Sequence, residues 1–360
     1  MTSPSDSVLN RPDGSRPPFR GSGAILIFGL PRSGTSWLAK IFDSHPDVLY
    51  RHEPDISYRE DRLPKYCPVS EMQEHLGFVR NYLDGLARVR TLKAAGSLPV
   101  FAKRGRSALA RFVRGGLILG MRVTESVIGN HEWLAQVPIP DLIASRYRHQ
   151  TRIVIKSVSA EAYVRLFAEA WPESRIIVIV RHPCGQVASF IQGIRLGKFA
   201  PPDPLGEVSR SPEAERLRVK VEEPTALSTV EQLAWEWAFL NQRMLNDLSC
   251  LSRARIIKYE ELAADPIGVA RDLFAFADLS WNAQTESFIA TSTMSDGGDR
   301  YYSLTRNPLH AANHWRDTLS IDDQQRIGAM ACRVAVGRSF VQRSRDAVDA
   351  DEALAQWRDG

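Results

Sequence analysis

The sequence has little of what marks secreted, metal-bound or membrane-spanning chains. Its four cysteines, Cys67, Cys184, Cys250 and Cys332, lie far apart with no CxxC pair, which argues against a disulfide framework or a zinc site. A reducing compartment fits that usage, and a cytoplasmic location is the expectation. No apolar run approaches the roughly 18 residues of a membrane span; the uncharged candidate GGLILGM at 115–121 is far too short. Neither sign of charge dominates, because 46 basic and 42 acidic side chains leave +4, too mild a balance to predict a nucleic-acid partner. No repeat period is visible. His310 and His314 are four apart, as metal ligands on a helix are, but no third ligand converges, and HEW at 131–133 is not HExxH, so no metal is expected. Residues 1–20 are rich in Pro, Ser and Gly without an apolar core. They read as a flexible tail, neither secretory signal nor membrane anchor, and 346–360 read as a polar C-terminal tail.

What is present suits one large domain, expected over 21–345: the 360 residues are 44% hydrophobic, enough for a sizeable core. Five short runs rich in Ile and Val, AILIFG (24–29), DVLY (47–50), RIVIKS (152–157), RIIVIVRHP (175–183) and ARIIKYEEL (254–262), are nearly continuous in apolar character. That pattern predicts parallel strands buried on both faces. Helical patterns separate them, so the fold class is α/β: a central, roughly five-stranded parallel sheet flanked by helices in three layers. Residues 57–150 are too long for one crossover and predict a helical insertion. Residues 198–226, Pro-rich and charged, predict a surface loop or lid. SIDDQQ at 320–325 predicts a helix start with Ser320 as N-cap.

The first strand runs into GLPRSGTSW (29–37). Gly29 and Gly34 have the spacing of a phosphate-binding P-loop, and a helix beginning near Thr35 points its positive end at the same place. Arg32 stands inside the loop, and Ser33, Thr35 and Ser36 add hydroxyls, which completes an anion cradle. The lysine of nucleoside triphosphatases is absent, and no strand ends in the Walker-B pattern of four apolar residues and Asp. The missing lysine favours a less charged group held without metal.

At this point the sequence resembles the sulfotransferases that use 3′-phosphoadenosine 5′-phosphosulfate, in the arginine form of the loop found in the carbohydrate and bacterial branches. The resemblance covers roughly residues 22–340 and is specific in two motifs. It implies that Pro31, Arg32, Ser33, Gly34, Thr35, Ser36 and Trp37 bind the 5′-phosphosulfate. It also implies that VIVRHPCGQVASF holds the 3′-phosphate through Arg181 and Ser189, with Pro183 between them. Arg181 would leave a strand end, where ligands of α/β sheets collect, and Ser189 lies within two turns of the next helix start. Weaker agreements add Tyr259, in IIKYEELAADP, and Arg306 and Arg316, in TRNPLHAANHWRDTLS. Tyr259 and Glu260 have a plain alternative as residues that fix the following helix, and the two arginines as solvated side chains.

Sulfuryl transfer to an alcohol needs a base for the hydroxyl and a cation for the leaving phosphate. Arg32 suits the second task. For the first, Glu53 stands at the end of the second strand before Pro54, which predicts an extended backbone there. The resemblance implies a glutamate base in this region. His52 is the rival, and alternation along a strand predicts that only one of the two faces the cleft. Lys156, ending the third strand, either contacts the sulfuryl group or acceptor or pairs with Glu53 or Asp55. The tryptophans of LAWEWAFLNQ (233–242) read as core. The basic run 102–123, with Lys103, Arg104, Arg106, Arg111, Arg114 and Arg122 and no acid, reads first as a solvated helix face; a membrane-surface helix or an anionic-acceptor site are the alternatives. The leading function is therefore an enzyme sulfating a hydroxyl of a carbohydrate or glycolipid. A P-loop kinase or NTPase and a non-catalytic nucleotide-binding module are the competing readings. The acceptor and the oligomeric state leave no legible motif.

Overall fold

Each of the five Ile- and Val-rich runs forms a strand in a computed structural model that describes residues 23–63, 67, 71–129, 131, 133–134, 137–202, 205–294 and 307–340. The two expected tails and Arg306 lie outside the described residues. The strands are β1 (Ile25–Phe28), β2 (Val48–His52), β3 (Arg152–Ser157), β4 (Arg175–Val180) and β5 (Ala254–Lys258). They pair in parallel in the order β2-β3-β1-β4-β5. The helices in chain order are α1 (Thr35–Asp43), α2 (Pro54–Ser57), α3 (Met72–Arg88), α4 (Leu92–Ala95), α5 (Ala108–Ile128), α6 (Val164–Ala170), α7 (Pro183–Arg195), α8 (Pro212–Arg216), α9 (Thr229–Leu248), α10 (Tyr259–Ala264), α11 (Pro266–Phe276), α12 (Ala283–Met294), α13 (Pro308–Asn313), α14 (Trp315–Thr318) and α15 (Ile321–Ala331).

Alternation along the strands builds two apolar layers. Ile25 and Ile27 of β1, with Ile177 and Ile179 of β4, pack against α1, α10, α11 and α12. Leu26, Phe28, Ile176, Val178 and Val180 pack on the other side against α3, α6, α9 and α15. Both faces of the central strands are thus covered, which is why their sequences show no polar alternation. The expected helix starts hold locally. Ser320 caps α15 by accepting a hydrogen bond from Asp323 N, and Ser228 with Glu231 forms a capping box on α9.

The insertion between β2 and β3 is largely helical; α3 packs into the apolar layer on the sheet, while ions tie the stretch from Ser97 to Asp141 to α1 and β2. Lys40 of α1, fully buried, reaches Asp43 (2.7 Å), Ser97 Oγ (3.1 Å) and the Pro99 carbonyl (2.9 Å). Lys103 closes on the other oxygen of Asp43 at 3.0 Å. Burial pushes Asp43 upward, but Lys103 and Lys40 outweigh it and hold its carboxyl down at about 2. Nearby, Arg51 makes a forked pair with Asp141 at 3.1 and 2.7 Å.

Two expectations change here. Residues 198–226 are not a simple surface loop: Ser209, Ala214 and Val219 are buried, and Trp235 Nε1 donates to the Val219 carbonyl at 2.5 Å. The basic run 102–123 is a solvated face only in part, since Arg104, Arg111 and Arg122 are exposed. Lys103 and Arg114 are buried, and Arg106 donates to the Asp141 carbonyl, because main-chain carbonyls and Asp43 offer these cations inward partners that water would otherwise supply.

Candidate active site

Along the carboxyl edge of the sheet all five strands end at one cavity of about 580 Å³. After β1 comes the loop: Pro31, Arg32, Gly34, Thr35, Ser36 and Trp37 line the cavity. Gly34 has φ +95, and a Cβ there would come within 2.4 Å of the Tyr259 ring, so glycine is required on both counts. It occupies the N-cap of α1, where no side chain caps the helix. The first-turn N–H groups, which have no partner within the helix, are left for a ligand. Arg32 also has positive φ, 72°; alternating left-handed residues curl a loop so that its N–H groups converge on an anion. Ser33 is buried and not on the cavity wall, and its hydroxyl has no hydrogen-bond partner among the described residues. Trp37 lines the cavity with its ring, while its indole N–H is spent on Ser292 at 3.2 Å.

The two phosphate motifs meet. Arg32 Nε donates to Ser189 Oγ at 3.0 Å, and Arg181 Nη1 donates to the Arg32 carbonyl at 3.1 Å. Arg181 follows β4 and also donates to the Ala311 carbonyl at 2.5 Å. Its guanidinium lies over the Tyr259 ring, 4.9 Å from the centroid, and Trp237 Nε1 donates to the Arg181 carbonyl at 3.0 Å. The tryptophans of 233–242 are thus core, as expected, with Trp237 also bracing the site. Glu260 accepts from His182 N at 2.9 Å and so fixes the start of α7, whose first residue is Pro183.

Glu53, His52 and Lys156 form the third group. Glu53 is not extended, as its position before proline predicts. It has φ 45 and ψ 53, left-handed, at the N-cap of α2, a strain of order 1–2 kcal/mol. Three contacts hold it there: its N–H donates to the Lys156 carbonyl at 2.8 Å, Lys156 Nζ closes on Oε1, and Lys93 Nζ lies 3.3 Å from Oε2. This turn out of the strand brings His52 and Glu53 to the same cavity, where strand alternation predicted only one. Lys156 therefore pairs with Glu53, and Asp55 accepts from Ser157 Oγ at 2.8 Å instead.

Electrostatics set the protonation states. Burial pushes Glu53 upward, but Lys156, then His52 and Lys93, prevail and bring it down to about 2. Burial, reinforced by Lys156, lowers His52 to about 3, so the ring is neutral near pH 7. Its Nδ1 lies 2.6 Å from Tyr50 Oη. With Tyr50 donating, the ring proton sits on Nε2, 3.9 Å from Glu53 Oε1.

Sequence reasoning missed Lys93, Ile56 and Val158 on the cavity wall, and Lys198, Phe199 and Pro308. Only Lys198 and Phe199 left a trace, as the first residues of the segment expected to cover the site. Arg316 is exposed, stacks on Trp315 at 4.7 Å and does not line the cavity. His310 and His314 have neighbouring rings, 5.2 Å apart, and no group of three His, Cys, Asp or Glu among the described residues is placed to hold a metal ion.

Comparison with known proteins follows the same outline. Mouse carbohydrate sulfotransferase 5 is 25% identical, with 84% of this chain and 77% of that protein covered. Human carbohydrate sulfotransferase 6 is 24% identical, covering 89% and 81%. Among solved structures, the sulfotransferase domain from the curacin biosynthetic pathway covers 86% of this chain and 97% of its own at 19% identity and a TM-score of 0.42. Mouse sulfotransferase SULT7A1 complexed with PAP covers 90% of each chain at 14% identity and a TM-score of 0.43. A family model described as "Sulfotransferase family" matches residues 24–283, and the chain belongs to that family.

Proposed function

We propose that this sulfotransferase takes its sulfuryl group from 3′-phosphoadenosine 5′-phosphosulfate and passes it to a hydroxyl of a carbohydrate or glycolipid, with Glu53 as the base. The observation that carries this reading is the hydrogen-bonded junction of the loop arginine, Arg32, with Arg181 and Ser189. It supplies two anion-binding groups on one cavity, as a nucleotide with separate 3′- and 5′-anions requires. The fit is supported by the cradle at Gly34, which a Cβ would fill, and by the cavity charge. Among the described residues Arg32, Lys93, Lys156, Arg181 and Lys198 line it against one carboxylate, Glu53. Its volume is in the range of cofactor pockets. When bound, the phosphosulfate supplies the sulfuryl group and a phosphate leaving group.

The chain's own residues then divide the work. Main-chain N–H groups of Gly34, Thr35 and Ser36 and the hydroxyls of Thr35 and Ser36 hold the 5′-end. Arg32 places its cation where charge develops on the leaving oxygen. Arg181 and Ser189 hold the 3′-phosphate. Glu53 receives the acceptor proton on a carboxylate oxygen. With Lys156 and Lys93 on it, Glu53 is a weak base; an anion that draws those lysines away raises its proton affinity just when the donor is in place. His52, held by Tyr50, orients Glu53 or the acceptor through Nε2–H. The carbohydrate sulfotransferase relatives support a sugar hydroxyl as acceptor.

The test is transfer of labelled sulfate from the donor into an extract or an oligosaccharide panel, beside calorimetric binding of 3′-phosphoadenosine 5′-phosphate. Glu53→Gln should cut turnover by about 10³-fold or more and leave nucleotide binding within a few fold. Near-normal turnover in that variant would move the base to His52. Absence of bisphosphate-nucleotide binding in the wild-type chain would sink the whole reading.

A further inference from the structure

Helix α5 carries apolar side chains on its outward face as well as on the inward one, where Ile118 and Met121 are buried. A surface helix turns its apolar stripe inward and its charges out. Here Arg114 is buried and gives its guanidinium to the Pro140 and Ala95 carbonyls, and Arg122 reaches the Gly96 carbonyl at 2.8 Å. The opposite face carries Leu109, Phe112, Leu119, Val123 and Val127, and Leu109, Phe112 and Val127 are exposed by 71, 79 and 78%. At 100° per residue these side chains fall on one strip, with Gly116 and Gly120 between them. Among the described residues nothing lies within 4 Å of a Cβ built on Gly115, Gly116 or Gly120, so the strip is open.

Two observations choose its occupant. The first is charge. Between Ala102 and Thr124 there is no acidic residue, and exposed Arg111 borders one side of the strip; exposed Arg122, on the same side, has one guanidinium nitrogen on the Gly96 carbonyl, and Arg104, ahead of the helix, pairs with Asp47. An apolar strip with a cationic border complements an anionic lipid surface. The second is area. A strip one helix wide and 21 residues long offers about 300 Å², well short of the roughly 800 Å² per partner that a stable protein interface needs. No helix among the described residues is long and apolar enough to cross a membrane, so the contact lies in the plane of the surface. We propose that the outward face of α5 seats the protein on an anionic membrane. The inward arginines of α5 grip the carboxyl end of α4, and α4 carries Lys93, which lines the cavity and reaches Glu53. The docked face is therefore one short helix from the acceptor end of the site. On the sulfotransferase reading above, this geometry takes acceptor hydroxyls presented by lipids.

The experiment is co-sedimentation of the full chain with vesicles of phosphatidylcholine alone and of phosphatidylcholine with phosphatidylglycerol. Binding to the mixed vesicles, weakened by salt, is the expected result. Phe112→Glu with Val123→Glu should lower partitioning on the order of 100-fold, since two apolar side chains lose their burial, and Arg111→Gln should lower it several-fold. Both substitution sets lie on exposed positions; circular dichroism and binding of 3′-phosphoadenosine 5′-phosphate are expected to match wild type. No vesicle binding by the wild-type chain, or binding untouched by the Phe112/Val123 pair, overturns the proposal. A dimer in ultracentrifugation that the same pair dissolves also overturns it and gives the face to a second copy. Failure of nucleotide binding in wild type would instead count against the sulfotransferase donor and leave vesicle binding to be judged on its own.

Discussion

The strand-end region and the helical insertion solve the same task, holding charged groups away from bulk water, by opposite means. At the strand ends the cations are arranged around space: Arg32, Lys156 and Arg181 line a cavity open to a ligand. Where the insertion meets α1 and β2 the cations are arranged around the protein itself. Lys40 and Lys103 share Asp43, Arg51 takes Asp141, and Arg114 takes two carbonyls. Glu53 sits on the border: it is the carboxylate of the cavity and is gripped from both regions, by Lys156 of β3 and Lys93 of α4.

The contrast can be broken or sharpened by mutation. The largest effect is expected from Arg32→Ala, which removes the cation of the leaving group. Turnover should fall by about 10³-fold, read by single-turnover transfer, with the melting temperature close to wild type. Next comes Gly34→Ala, where positive φ and the clash with Tyr259 combine. Nucleotide affinity measured by calorimetry should drop by about 10²-fold, with loss of about 2–4 kcal/mol of stability in urea. Asp43→Asn tests the other region. It leaves two buried lysines unpaired and should cost about 3–5 kcal/mol, while the variant, still folded at low temperature, keeps its affinity for 3′-phosphoadenosine 5′-phosphate. Because Asp43 is held at about 2, below its unfolded value of 3.8, its contribution is complete above about pH 4 and fades as pH falls toward 2. Wild type should therefore lose melting temperature on acidification more steeply than Asp43→Asn.

Smaller effects probe the border. Glu53 and His52 both titrate at or below about 3 in the free protein. The profile of kcat/KM should therefore show no acid limb of theirs between about pH 4.5 and 7; an inflection near 6 that vanishes in His52→Gln would refute that. The smallest change is expected from Arg316→Ala, a few fold in KM for the donor, because the side chain is exposed and off the cavity wall.

What was legible in the sequence follows the same divide. The sheet and the cradle could be read because their physics is local. Continuous Ile and Val runs state burial on both faces, and two glycines around an arginine state a turn that presents N–H groups. Arg181 and Ser189 came from the family resemblance, since their spacing alone is a weak pattern; the structure brings both onto Arg32. Glu53 was placed correctly at the strand end but with the wrong backbone. The rule for residues before proline is local, whereas the lysines that hold Glu53 left-handed come from two other elements. Lys93 left no sign at all, since its role depends on how α4 meets β2. The basic run 102–123 misled for the same reason: a charge pattern says nothing of carbonyls waiting in a distant loop.

One bond spans that divide in a further way. Arg32 and Ser189 are 157 residues apart in sequence, yet share a hydrogen bond at 3.0 Å, and Arg181 holds the carbonyl of Arg32. A ligand anion at either end competes for groups already committed to the other end. A nucleotide with one of the two anions breaks that bond and regains contacts at one end alone; a nucleotide with both regains them at each. On the donor reading proposed above, the resting site works as a coincidence detector, discounting molecules that present half of the signal.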